Sequence, residues 1–526
     1  MPIEVGKIQF GEIDAKNEVF DQNKIGIQVF HNSFEIPPSV DMEKLTSGAK
    51  FFVYGQKGCG KTALLLHLKK LLDDSGANTR TILFKSGITE PERQSIASGK
   101  GFEIVEQNNI RSVEYDYKIN WLWYIYRNLL RMMNPKDSDE SGNIVTSLKK
   151  IIGVHGEIKT SLLSDLTTKS IKSFARASFN VGGLSSEIGA ELESIKNGTQ
   201  DRIEIEIVDL VERYLPKVEF NKSKRNVLLF DELELFWNRP DQRERDLFLI
   251  RDLLYAVSRV NRTVGANTSA LGVVASVRSE VLNEVNRVGP EIGRDVDDLG
   301  IRVNWNVRSD DPTQPILKIV ENKIKYSEIQ FDQQPTDDIW DTYFPKSAYS
   351  RDFKQYLLDN SMFKPRNIVT LLSLAKNYQS KSFAISTEAI EEVQLEFSRK
   401  TWREIEEELS GEYSSDQVGA IKSILTGYKS RFYINELHDR VNELSWIDSR
   451  VKAGFSKESD AVKLIQSLYR VGAIGNRYFV QGPVKDEIRF GWIFRDSYEP
   501  LLDKEFLIHE SLIKNLQLTF ANRKKK

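Results

Sequence analysis

The fold of this chain is decided by the stretch Gly55-Gln56-Lys57-Gly58-Cys59-Gly60-Lys61-Thr62. It has the pattern G-x-x-x-x-G-K-S/T, it follows the apolar run 51–54, and it leads into the amphipathic run 62–72. In this pattern the glycines let backbone N–H groups face phosphate, the lysine reaches the β and γ oxygens, and the hydroxyl group of Thr62 binds Mg²⁺. A helix N-terminus behind the loop favours the anion further. We therefore expect a loop that binds a nucleoside triphosphate.

A second apolar run, 226–230, ends in two acidic residues, Asp231 and Glu232. A continuous apolar run is typical of a strand in a parallel sheet that is covered on both faces. We expect Asp231 to lie beside the metal and Glu232 to orient and deprotonate the attacking water. Glu234 is the competing candidate for the base. The two motifs together predict a nucleotide-hydrolysing site.

Three more apolar runs, 79–85, 270–278 and 301–305, predict the remaining strands of this core. Ligands of a parallel sheet bind at the carboxyl ends of its strands, so Ser276 or Arg278 is expected to sense the terminal phosphate. The alternative for Arg278 is a local ion pair. Arg294 is a candidate finger toward a neighbouring subunit's nucleotide, with a solvated arginine as its alternative.

The chain between the two motifs predicts an insertion, because Lys61 and Asp231 lie 170 positions apart. We expect helices at 117–133 and 201–215 and a short ribbon at 174–184. The insertion is a natural place for an oligomer or partner contact, and simple padding of the core is the alternative.

A helical segment beyond the core contains Lys364-Pro365-Arg366. Proline at a helix start followed by an arginine is the layout of a lid helix that lays a guanidinium group on a bound phosphate. We therefore expect Arg366 to contact the nucleotide.

Residues 401–526 predict a winged-helix-like unit. We expect helices at 434–444 and 460–469, a turn at Gly475-Asn476, and a half-buried strand around 488–494. Such units often bind duplex DNA. This region carries 20 basic and 19 acidic residues, however, and its candidate basic face consists of Lys457, Lys463, Arg470 and Arg477. DNA binding and a protein-contact or autoinhibitory role both stay open.

Length and composition predict a large intracellular protein without a membrane segment. The 526 residues correspond to about three or four domains, and 74 basic residues balance 76 acidic ones. The single cysteine, Cys59, cannot form an internal disulfide, and the N-terminal residues lack the pattern of a leader. The aromatic run 119–126 is too short to span a bilayer. We expect a cytoplasmic location.

The ordered motifs resemble the AAA+ and STAND branches of P-loop ATPases. The resemblance rests on the loop at 55–62, on Asp231-Glu232, on the strand end Ser276-Val277-Arg278, and on Lys364-Pro365-Arg366. The chain is also similar to a bacterial P-loop ATPase family at three places: residues 10–18, the loop that begins at Tyr54, and Gly472-Ala473-Ile474-Gly475. STAND proteins carry Gly-x-Pro in the lid, whereas this chain has Phe363 in place of the glycine, which favours a contact from Arg366 over one from Pro365.

The resemblance implies an α/β P-loop NTPase of the ASCE type with strand order 5-1-4-3-2. It implies an N-terminal segment at 1–47 packed on the core, an ATPase core at 48–310 with an insertion at about 86–215, a helical lid at 311–400, and a winged-helix-like α+β domain at 401–526.

The function that the resemblance implies is an ATPase with ATP and Mg²⁺ as cofactors. ATP would drive homo-oligomer assembly or switch a protein partner that carries an effector activity, for example in bacterial defence against phage. Turnover, from ATP to ADP and phosphate, would be slow or stimulated by the partner. One alternative is a DNA-associated AAA+ ATPase that holds duplex DNA with its winged helix. Another is a nucleotide-bound scaffold with negligible turnover.

Overall fold

The computed structural model describes residues 2–18, 25–97, 102–105, 111–114, 116–137, 142–152, 200–218, 224–235, 240–266, 270–306, 314–455, 457–481, 487–495, 497 and 499–520. The strands within these ranges are β1 Phe52–Gly55, β2 Asn78–Leu83, β3 Phe102–Val105, β4 Arg111–Glu114, β5 Asn226–Leu233, β6 Leu271–Arg278, β7 Gly300–Arg302, β8 Ser347–Ala348, β9 Arg351–Asp352, β10 Arg431–Phe432, β11 Ile474–Val480, β12 Glu487–Gly491 and β13 Glu505–Ile508.

The helices of the first part of the chain are α1 Ala15–Glu18, α2 Ile25–Asn32, α3 Met42–Ser47, α4 Lys61–Asp74, α5 Phe84–Gly87, α6 Glu90–Ile96, α7 Lys118–Met132, α8 Gly142–Ile151, α9 Gln200–Tyr214, α10 Pro240–Val260, α11 Ser279–Val288 and α12 Pro290–Leu299. Those of the second part are α13 Pro315–Gln330, α14 Ile339–Tyr343, α15 Phe353–Ser361, α16 Pro365–Tyr378, α17 Thr387–Leu409, α18 Ser415–Leu425, α19 Ile434–Ser445, α20 Ser449–Gly454, α21 Glu458–Arg470 and α22 Ile513–Leu516.

The chain divides into two units. The sheet unit consists of Ser39–Gln56 and Lys61–Val303, and the helical unit consists of Met1–Pro38, Lys57–Gly60 and Asn304–Lys526. No helix of the described ranges is both long and apolar enough to cross a membrane.

The sheet unit is built on five parallel strands in the order β2-β5-β6-β1-β7. Numbered along the chain and read from β7, this order is 5-1-4-3-2, as expected. Strands β5 and β6 are buried almost throughout, which the continuous apolar runs predicted. The expected strand at 301–305 is shorter, because β7 ends at Arg302, although the N–H of Val303 still donates to the carbonyl of Tyr54 at 2.7 Å.

The region of the predicted insertion contains both expected helices. Helix α7 is deeply buried through residues such as Trp121 and Ile125, and it contacts α10 and α9. The antiparallel ribbon β3–β4 was not expected from the sequence. The ribbon predicted at 174–184 lies outside the described residues.

The N-terminal residues of the helical unit pack against its helices. Ile3, Val5, Ile8 and Phe10 belong to a core that also contains residues of α13, α15, α16 and α17. Packing of the segment 1–47 on the nucleotide-binding core stays a prediction. The other predicted domain boundaries stay predictions.

The C-terminal part of the helical unit forms a second core around an antiparallel sheet of order β10-β13-β11-β12. Helices α19 and α21 match the expected helices at 434–444 and 460–469. The predicted turn at Gly475-Asn476 is wrong, because both residues lie inside β11, where Asn476 bonds the backbone of Leu501 through its amide group. The strand expected around 488–494 is present as β12 at the edge of this sheet, but it ends at Gly491 and its residues before Gly491 are exposed rather than half-buried.

Candidate functional site

The carboxyl ends of β2, β5, β6 and β1 lie at one edge of the sheet unit. Leu83 at the end of β2 lies opposite Asp231 in β5, and Gly55 at the end of β1 lies opposite Arg278 at the end of β6. The carboxyl edge of a parallel sheet is where ligands of open α/β folds bind, because loops and helix N-termini gather there. Asp231 and Arg278, two of the site residues predicted from the sequence, therefore lie at this edge.

Lys61 lies at this edge as the first residue of α4. Its ammonium Nζ donates to the backbone carbonyl groups of Gly55 and Gln56, each at 2.9 Å. These neutral acceptors hold the side chain beside the start of the loop. A phosphate oxygen would be a stronger acceptor for the same ammonium group, because it carries a charge.

Asp231 is 4% exposed, and burial raises the pKa of its carboxyl group because removal of water disfavours the ionised form. Four neighbours act in the opposite direction and lower this pKa: the backbone of Glu232, the hydroxyl groups of Thr62 and Ser276, and the charge of Lys61. The carboxylate thus lies in a buried polar cluster with a cation and two hydroxyl groups.

The donor set of this cluster fits a magnesium ion. Thr62 supplies a hydroxyl oxygen and Asp231 a carboxylate oxygen, and Mg²⁺ binds through one or two such ligands together with water and phosphate. The Ser276 oxygen Oγ is buried and makes no hydrogen bond of regular geometry within the described ranges. Among the described residues no larger group of His, Cys, Asp or Glu side chains could hold a metal.

Glu232 has a backbone φ of 58°, in the left-handed region that a glutamate rarely adopts. The register between β5 and β6 shifts between Phe230 and Leu233, so Glu232 lies in a bulge. Bulges next to functional sites re-aim a side chain. The carboxylate oxygen Oε2 accepts from the backbone N–H of Ser86 at 3.0 Å and from its hydroxyl group at 2.6 Å.

Ser86 was missed by the sequence reasoning. The available signal was its position just after the second predicted strand, because a polar residue there reaches the same edge as Asp231.

Glu234 and Arg278 form an ion pair with each other. Lys85 also donates to Glu234, with 2.9 Å between Nζ and Oε2, and Arg278 lies 3.7 Å from a carboxylate oxygen of Glu280. Glu234 is therefore engaged by two cations, whereas Glu232 is held by Ser86. Arg278 thus lies at the edge of the sheet in a local ion pair, and its role as a sensor of the terminal phosphate stays a prediction.

Arg294 lies exposed on α12. Its role as a finger stays a prediction.

The tip of the predicted loop, Lys57–Gly60, belongs to the helical unit. Gly58 and Gly60 have φ values of +79° and +100°, which glycine adopts without strain. Lys57 is 6% exposed, and its ammonium group lies 2.5 Å from a carboxylate oxygen of Glu407 in α17. Cys59 is a free, buried thiol.

Within the described residues of the helical unit, the side chain of Trp305 and the backbone of Arg366 donate hydrogen bonds to this tip. The indole Nε1 of Trp305 donates to the carbonyl of Cys59 at 2.8 Å. The backbone N–H of Arg366 donates to the carbonyl of Gly58 at 3.5 Å, which is a long contact. Pro365 is the first residue of α16, as the sequence predicted.

The Arg366 guanidinium group binds within the helical unit. Its Nε donates to the carbonyl of Ile13 at 2.9 Å, and Nη1 lies 3.6 Å from Glu404. The surrounding cavity of about 230 Å³ also contains Lys57 and Glu407, in a mixed lining of cations and carboxylates. Contact of Arg366 with a nucleotide stays a prediction.

The candidate basic face of the C-terminal part is partly neutralised. Arg470 lies 2.5 Å from Glu412, and Arg477 lies 2.8 Å from Glu505. Lys457 and Lys463 are exposed. Two of the four predicted cations are therefore already paired within the unit.

Comparison with known proteins identifies one region of the chain. Residues 314–406 match the FunZ-associated C-terminal helical domain. The match runs from the residue before α13 into the last turn of α17, so it falls within the helical unit. No curated protein matches the chain.

Proposed function

We propose that this chain is an ATP-binding and ATP-hydrolysing switch of the AAA+ or STAND type. The observation that carries the proposal is the cluster at the carboxyl edge of the parallel sheet, where Lys61, Thr62 and Asp231 interact and Glu232 follows in the next position. Nucleotide binding would control homo-oligomer assembly or the activity of a protein partner, and bacterial defence against phage is the setting we propose.

Each residue of the cluster has a role that follows from its chemistry. Lys61 would exchange its two carbonyl acceptors for phosphate oxygens of ATP, and Thr62 and Asp231 would hold Mg²⁺. When bound, the ion supplies positive charge against the phosphate oxygens. Glu232 accepts the proton of the attacking water. Ser86 restricts the orientation of the Glu232 carboxylate through its hydrogen bonds.

Two substitutions at Lys61 and Lys70 test nucleotide binding. We expect K61A to weaken ATP affinity by about 100-fold, because a charge-assisted contact with phosphate is lost. K70A is the matched control, since Lys70 lies in the same helix and pairs with Asp74 at the surface. Titration of a fluorescent ATP analogue measures both. Equal affinity of K61A and K70A would contradict the proposal.

Two further substitutions test the assignment of the base. We expect E232Q to retain ATP binding and to lower turnover by about 100-fold or more, because general base catalysis is removed. E234Q should retain most of its turnover, since Glu234 pairs with Arg278. Phosphate release measures turnover. If E234Q loses turnover and E232Q does not, Glu234 is the base.

A DNA-associated ATPase is the second candidate. The order helix, strand, three helices and a strand hairpin in α18 to β12 favours it, because winged-helix domains have this order apart from the short helix α20. The paired state of Arg470 and Arg477 argues for a protein contact instead. Titration with duplex DNA at two salt concentrations separates the two roles, because phosphate contacts weaken steeply with salt. A chain that binds ATP without turnover would be the nucleotide-bound scaffold.

A further inference from the structure

Trp305 contacts the loop tip far from its own position in the sequence. Its indole N–H donates to the Cys59 carbonyl at 2.8 Å, and the two side chains are 3% and 6% exposed. A buried hydrogen bond of normal length holds both groups in place. The other donor to the tip, the N–H of Arg366, lies at 3.5 Å, so the Trp305 contact is the better one.

The geometry of the peptide group gives this hydrogen bond a consequence. The described chain has no cis peptide bonds, and in a planar trans peptide the C=O of one residue and the N–H of the next point in opposite directions. A Cys59 carbonyl held on one side of the loop therefore directs the Gly60 N–H to the other side. The flanking Gly58 and Gly60 allow many backbone conformations, so an external contact is needed to select one.

We propose that Trp305 is a positioning residue for the phosphate-binding loop. Its indole holds the Cys59 carbonyl on one side of the loop, and we assign to phosphate the opposite side, toward which the Gly60 N–H points. The inference rests on the proposed function, because it assumes that this loop binds ATP. Trp305 lies outside all of the sequence motifs that identified the loop.

The single cysteine of the chain makes the loop conformation measurable without nucleotide. We expect W305F to raise the rate of Cys59 alkylation about fivefold, because loss of one hydrogen bond of about 1 kcal/mol increases the population of open conformations. W340F is the matched control, since Trp340 donates to Glu321 at 2.6 Å away from the loop. Its alkylation rate should equal that of the wild type.

The second readout is ATP affinity. We expect W305F to bind ATP about fivefold more weakly, because the loop must be ordered at the time of binding. Saturating ATP should still protect Cys59 in W305F, at a higher concentration than in the wild type. W340F should show no change.

Three results would count against the inference in different ways. An unchanged alkylation rate in W305F overturns the positioning role, and a raised rate with unchanged ATP affinity overturns its link to phosphate. Absence of ATP binding in the wild type contradicts the proposed function itself. If W305F does not fold, benzothienylalanine at position 305 replaces the indole N–H by sulfur with nearly the same shape, and the same two measurements apply.

Discussion

Glu232 combines the expected chemistry with an unexpected backbone. Its position after an apolar strand predicted a catalytic carboxylate. Its φ of 58°, in contrast, follows from the bulge in β5 and from the hydrogen bond that Ser86 donates to its carboxylate. A non-glycine residue in this conformation costs on the order of 1–2 kcal/mol. No sequence pattern encodes that cost, because it arises only when neighbouring strands and the loop after β2 impose it.

The buried side chain of His509 should make the stability of the helical unit sensitive to acid. It is buried edge-on against Trp492 and Phe494, and burial, with the nearby charges of Lys364 and Arg495, lowers its pKa to about 3. Its Nδ1 accepts from the N–H of Ser511 at 3.3 Å, so the neutral ring is built into the fold.

The sign of the effect follows from the lowered pKa. The unfolded chain binds a proton near pH 6.5 while the folded chain does not, so stability is full above pH 6.5 and is lost as the pH falls toward 3. Between pH 7 and pH 5 we expect the free energy of unfolding to fall by about 2 kcal/mol through this group. Urea unfolding at both pH values measures it. H509Q should lack this loss, and H438Q, at a partly exposed histidine, should retain it.

Helix α17 supplies the carboxylate that pairs with the buried Lys57. We expect E407A to lower the free energy of unfolding by about 0.5–2 kcal/mol, because the buried ammonium group loses a charged partner, while the 63% exposure of Glu407 reduces the effect. E407Q should have a smaller effect, since an amide oxygen can still accept. The control is E392A, at an exposed position of the same helix. Equal unfolding midpoints in urea for E407A and E392A would show that the pair contributes little.

The regular elements were largely predictable, and the contacts between distant residues were not. The apolar runs located β2, β5 and β6, and the helix pattern located α7, α19 and α21, because burial imposes periodicity on local sequence. Gly475-Asn476 was wrongly predicted as a turn. Inside strand β11 the side-chain amide of Asn476 forms two hydrogen bonds with the backbone of Leu501, and local turn propensities do not account for such a contact. The contacts of Glu407 with Lys57 and of Trp305 with Cys59 join residues hundreds of positions apart, which a single sequence does not reveal.

At the scale of the whole molecule, the proposed switch predicts nucleotide-dependent assembly. We expect E232Q with ATP and Mg²⁺ to form a species of at least twice the monomer mass, because bound ATP is not consumed. K61A under the same conditions should stay at the mass seen without nucleotide. Light scattering after size exclusion measures the mass. An identical mass for E232Q with and without ATP would argue against assembly as the output.

The packing of the N-terminal segment has a consequence for synthesis on the ribosome. Ile3, Val5, Ile8 and Phe10 are synthesised nearly 400 residues before Phe397, which belongs to the same core. At about 5–20 residues per second, these side chains wait about 20–80 s for the last of their partners. During that time the sheet unit can complete its five strands, since β7 ends at Arg302. The order of synthesis therefore places the folding of the sheet unit before the closure of the helical core.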